Sequence, residues 1–137
     1  MPTVIRGSDN IDTGNVATQT ELNAKVQTAI VTVNGGANIV SATRYVETNP
    51  FGNANYEKCF VRGEIFIDGK WSETGFMFSG TGFGTHAYSN AEGIVVQSSG
   101  SSFYRNSLYT GDGFGVAGDN TLSSVPCRVI VVYVESV

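Results

Sequence analysis

The run Cys59-Phe-Val-Arg-Gly-Glu-Ile-Phe-Ile67, the dipeptide Asp68-Gly69 and the run Lys70-Trp-Ser-Glu-Thr-Gly-Phe-Met-Phe78 together leave few folds open. Asp-Gly between two apolar-rich runs is a strong short-range hairpin signal. A two-residue turn there sets the register: Phe66 opposite Trp71, Glu64 opposite Glu73, Val61 opposite Phe76. Side chains alternate between the faces of a strand. One face of the hairpin then carries Cys59, Val61, Ile65, Phe76 and Phe78, and should line the core. The other carries Phe60, Arg62, Glu64, Phe66, Trp71, Glu73 and Met77, with Arg62 placed to offset two glutamates. A face meant only for solvent has no use for Phe60, Phe66 and Trp71. It is an intersubunit contact or a ligand platform.

Further strands are expected at residues 29–33, 39–46, 92–97, 102–109 and 128–134. Asn34-Gly-Gly36 forms a turn and residues 48–53 a loop. Seven or so strands separated by turn signals predict an all-β, antiparallel, jelly-roll-like sandwich. Gly, Ser, Thr and Asn are abundant, and helix formers are scarce after residue 30, which fits strands and turns. Val129-Ile-Val-Val-Tyr-Val134 is apolar at every position, without alternation. A strand in a lone antiparallel sandwich usually keeps one wet face. This strand reads as dry on both, and Ile94-Val-Val96 reads the same way. The expected cover is another copy of the chain.

Ahead of the β-domain, residues 1–17 show turn chemistry and no period, and are expected to be either disordered or an extended arm that docks elsewhere, the docked arm being favoured. Thr18-Gln-Thr-Glu21 fits a capping box, and Leu22, Val26 and Ile30 follow at four-residue spacing. The spacing predicts a helix over 19–28, with a narrow apolar stripe. That stripe forms a seam between copies or lies on the chain's own β-domain. The division is thus 1–28, arm and short helix, and 29–137, β-sandwich. Leu22, Val26, Ile30, Val129, Val131 and Tyr133 are the expected oligomer contacts.

Candidate chemistry is sparse. His86 is the only histidine, which excludes every multi-histidine metal site, and it reads as a surface residue. No metal, no cofactor and no catalytic residue is expected. Cys59 and Cys127 lie far apart in sequence, no secretory signal precedes them, and two reduced thiols are expected. A net charge of −4 with eight scattered basic residues argues against nucleic acid. No apolar run approaches the ~20 residues that span a bilayer, so membrane insertion is not expected. Gly113-Phe-Gly115-Val-Ala-Gly118 matches GxGxxG, but loop chemistry follows it in place of a helix, so no dinucleotide site is read there. The GxGFG pattern occurs twice, at 80–84 and 111–115. Its glycines suit positive φ, tight turns or close backbone approach.

The segments Gly7-Ser-Asp-Asn-Ile-Asp-Thr-Gly14 and Ala17-Thr-Gln-Thr-Glu-Leu-Asn-Ala-Lys-Val26 resemble the starts of tail-fibre and related virion proteins of tailed bacteriophages. Val125-Pro-Cys-Arg-Val-Ile-Val-Val-Tyr133 is similar to the last strand of phage fibre-tip domains. The resemblance covers about residues 7–26 and 125–134. It implies a non-catalytic structural protein of the virion, assembled in the bacterial host cytoplasm. Such proteins are usually homotrimers, held to other virion proteins by the N-terminal arm, here residues 1–17. They bind a host surface, here expected to be a glycan, with the β-domain. The chain lacks the repetitive shaft of longer fibres, so a short fibre or fibre tip is the leading expectation. A capsid-decoration protein is the alternative, and a glycan-active enzyme using Glu64 and Glu73 the third. Trp71, Tyr88, Asn90, Tyr104 and Arg105 are the expected host-binding residues, because aromatic faces stack on sugars while Asn and Arg donate hydrogen bonds.

Overall fold

A computed structural model of the chain describes residues 18–67, 69–73, 84–104 and 121–135. Helix α1 spans Gln19–Lys25 and runs directly into β1, Val26–Thr32. The strands after it are β2 (Ile39–Val40), β3 (Arg44–Glu47), β4 (Cys59–Ile67), β5 (Lys70–Ser72), β6 (Thr85–Asn90) and β7 (Gly93–Ser98). Then come β8 (Phe103–Tyr104), β9 (Thr121–Leu122), β10 (Ser124–Val125) and β11 (Cys127–Val134). The arm at 1–17, Phe76, Met77, Phe78, Arg105 and all of both GxGFG copies except Gly84 lie outside the described residues.

The fold is all-β and sandwich-like. One sheet has the order β1-β11-β4-β5 and the other β3-β7-β6, with small pairs β10-β2 and β8-β9 beside them. Among the described residues every pairing is antiparallel. The hairpin register read from Asp68-Gly69 holds, with Phe66 opposite Trp71 and Ile67 opposite Lys70. Gly69 takes φ +78, the left-handed conformation that such a turn needs.

The core lies between the two sheets. Ile65 and Ile67 from β4, Cys127, Val129 and Val131 from β11, and Ile94 and Val96 from β7 meet there with Val33, Ile39, Phe103 and Val125. The sheets approach closely where β4 crosses β6. A Cβ on Gly63 would stand 3.0 Å from the Cβ of Ala87, so only glycine fits without displacement.

Three expectations change. The helix stops at Lys25, and the strand expected from residue 29 begins at Val26, so residues 26–28 are strand and not helix. The capping box is real: Thr18 N–H donates to Glu21 Oε2 at 2.9 Å and Glu21 N–H to Thr18 Oγ1 at 3.1 Å. Seven residues are nonetheless too few to hold a helix against a full ladder with β11, which pairs Val26 with Val134 through to Thr32 with Arg128. Next, residues 39–46 are not one strand. Ala42 turns at φ +56, and Ser98 Oγ holds the turn by donating to Val40 C=O at 2.6 Å and accepting from Thr43 N–H at 2.9 Å. Lastly, β7 is covered by its own chain. Ile94, Val95 and Val96 are all fully buried, because β7 is the middle strand and Val95 lies between Val46 and Tyr88. No second copy is required there.

Candidate functional site

Among the described residues, the outward face of the β1-β11-β4-β5 sheet gathers four of the six exposed large hydrophobic side chains. Cross-strand partners share a face. One row across the sheet is therefore Thr28, Val132 and Phe60, and the next is Ile30, Ile130 and Arg62. Val26 and Val134 form a row to one side, and Thr32, Arg128 and Glu64 a row to the other. Phe66 and Trp71 close the far corner. Ile30 is 61% exposed, Phe60 59%, Val26 51% and Phe66 38%, while Ile130, Val132 and Val134 are half-buried.

A charged belt crosses this apolar ground. Glu64 is buried, and its Oε1 accepts from both Nε and Nη2 of Arg128 at 2.7 Å. Its Oε2 pairs with Arg62 Nη2 at 3.1 Å, and Arg62 Nε reaches Glu73 at 3.8 Å. The Arg128 guanidinium lies over the Trp71 ring, 4.4 Å from its centroid, and Phe66 packs on Trp71 at 5.2 Å in a tilted arrangement. Two glutamates and two arginines cancel, so the face carries no net charge. Beside the belt is a mainly apolar groove of about 330 Å³, lined by Ile30, Thr32, Gly36, Trp71, Pro126, Cys127 and Arg128.

The expected site residues divide sharply. Trp71 stands at the far corner of this face, on the edge strand β5. Tyr88 and Asn90 are on β6, in the opposite sheet. The Tyr88 ring sits 5.5 Å from that of His86, and Asn90 is tied to Glu92 through both ends of its amide. Tyr104 ends β8, and its side chain, like that of Leu22, lies outside the described residues. Val26 and Ile30 are exposed on β1, as an oligomer contact requires. Val129 and Val131 are not available as contacts, because each is fully buried in the chain's own core. Tyr133 shares their face and stacks on Phe51 at 5.1 Å. The outward set on β11 is Ile130, Val132 and Val134. A strand that is apolar throughout shows no period, so its sequence cannot say which parity points inward.

The β4-β5 pairing ends at Ser72, one residue short of Glu73, but Arg62 reaches both Glu64 and Glu73, and Arg128 claims one oxygen of Glu64. His86 is exposed and lines a smaller polar cleft of about 230 Å³ with Val61, Arg62, Gly63, Glu73, Thr85 and Ala87. Cys59 and Cys127 are free thiols at opposite ends of β4 and β11, opposite Tyr133 and Ile65 respectively. Burial pushes the Cys127 thiol up to about 12. Among the described residues no three His, Cys, Asp or Glu side chains gather to hold a metal ion, and no helix is long and apolar enough to cross a membrane. No family model, curated protein or solved structure matches this chain.

Proposed function

We propose that this chain is a structural subunit of a tailed-phage virion, of the short-fibre or fibre-tip type, whose copies pack through the outward face of the β1-β11-β4-β5 sheet. The observation that carries the self-assembly is the exposure of Val26, Ile30, Phe60 and Phe66 on one face. Three strands of seven to nine residues and the three-residue β5, at about 4.8 Å spacing and about 3.4 Å rise, give a footprint of roughly 440 Å². Side-chain relief enlarges that toward the ~800 Å² per partner of a stable interface. Aromatic and β-branched residues around an internally neutral belt suit a protein partner and offer nothing to a polyanion. The virion assignment rests on the resemblance at residues 7–26 and 125–134. In this reading residues 1–17 hold the particle, Trp71 belongs to the packing face, and Tyr88 and Asn90 on the opposite sheet are contacts for a host glycan.

The test of assembly is the solution mass. A multiple of 14.5 kDa is expected at micromolar concentration, and Phe60→Lys, which places a charge in the contact, should lower it. A monomeric wild-type chain refutes the reading. The test of role is binding of purified protein to host cells with competition by host polysaccharide. Absence of binding at high concentration, together with capsid co-purification, moves the protein from the tail to the head.

A further inference from the structure

The face just described ends at β1, which is an edge strand among the described residues. It is the first strand in the order β1-β11-β4-β5, and among the described residues it pairs only with β11. The sequence Val26-Gln-Thr-Ala-Ile-Val-Thr32 has no charge, no proline and no glycine. Edge strands are usually blunted by charge, by proline, by a bulge or by a cover, and an unblunted edge is a template for another strand.

The backbone says which groups are offered. Glu135 N–H donates to Lys25 C=O at 2.8 Å. Hydrogen-bonded pairs alternate along an antiparallel ladder. The backbone groups of Gln27, Ala29 and Val31 therefore point to β11, and those of Val26, Thr28, Ile30 and Thr32 point away from it.

We propose that β1 pairs with β1 of a second copy, antiparallel, about a two-fold axis at Ala29, joining the two sheets into one. This register places Val26 opposite the partner's Thr32 and Thr28 opposite the partner's Ile30. These are the residues whose N–H and C=O face outward, so all four positions bond at once. Ala29 meets its own counterpart in the non-bonded position, Cα atoms about 4.5 Å apart. Cross-strand pairs on the outward face are β-branched throughout, a favourable combination, and no like charges meet because β1 has none. The apolar faces of the two copies also become continuous. The proposal deepens the self-assembly reading. A two-fold contact requires an even copy number: two, or six if packing through the face is three-fold.

The test uses Ala29→Cys in a Cys59→Ser background, under mild oxidation. A disulfide-linked dimer is expected, since the facing Cα atoms fall within the ~4.4–6.8 Å span of a disulfide; the same chain without Ala29→Cys stays unlinked. Adding Thr28→Pro removes one outward donor and no β11 bond, and should slow cross-linking about tenfold or more. Thr28→Lys keeps every backbone donor but sets a charge on the edge, and gives the same loss where proline unfolds the chain. No cross-link, or cross-linking indifferent to both substitutions, overturns the proposal. If the multimeric mass persists in that case, packing through the face stands alone; a monomer removes both.

Discussion

Replacing Glu64 by Leu tests whether the charged belt holds the outward face in shape. The Glu64 side chain is 8% exposed and takes three contacts, two from Arg128 and one from Arg62. Hydrogen bonds to charged groups contribute about 1.5–3 kcal/mol each. Arg62 is more than half exposed, so its share falls toward the ~0–1 kcal/mol of surface pairs. Arg128 is 27% exposed and stacked on Trp71, so it rehydrates only in part. The loss is then about 2–4 kcal/mol, offset by about 1 kcal/mol from burying leucine. Glu64→Leu should cost about 2–3 kcal/mol. Arg128→Met together with Glu64→Leu should recover most of it, because an apolar pair of similar volume replaces an ion pair at little net cost. The assay is urea unfolding at fixed protein concentration, since assembly couples to stability. Trp71 is the only tryptophan and sits on Arg128, so its fluorescence reports the site. A Glu64→Leu cost below about 0.5 kcal/mol, or strictly additive effects in the double variant, refutes the reasoning.

Three further outcomes are expected. Gly93→Ala should unfold the chain or cost more than about 3 kcal/mol in the same assay, because its Cβ would fall 2.2 Å from the Glu47 carbonyl oxygen at φ +137; an alanine variant of wild-type stability contradicts this. Arg44 holds the Glu92 carboxyl below its usual 4.5 through a side-chain hydrogen bond, helped by Asn90. The carboxyl resonance should titrate below that value and return toward it in Arg44→Ala. Being depressed in the folded state, Glu92 lends stability above the unfolded pKa, which is lost as pH falls through the folded one. Cys127, raised to about 12 by burial, should resist a thiol reagent at neutral pH until urea unfolds the chain, whereas half-buried Cys59 should react sooner. The raised thiol contributes stability that is complete below its unfolded pKa near 9 and is lost as pH climbs toward 12.

Local chemistry made much of this molecule legible in its sequence. The Asp68-Gly69 turn demands one register, and that register assigned every β4 side chain to its face. The capping box at Thr18 and Glu21 and the turn at Asn34-Gly35, both at positive φ, are equally local. Three features waited for the tertiary structure. Leu22, Val26 and Ile30 recur every four residues, an interval that suits one stripe of a helix and one face of a strand alike; pairing with β11 chose the strand for Val26. β11 is apolar at each position, so only the placement of the second sheet decided that Val129 and Val131 turn inward and that Ile130, Val132 and Val134 turn out. Glu64 reads as a surface charge, and it is buried because Arg128, distant in sequence, arrives opposite it across the ladder. Periodicity and turn residues act within a few positions of the chain, whereas burial depends on which strand lies alongside.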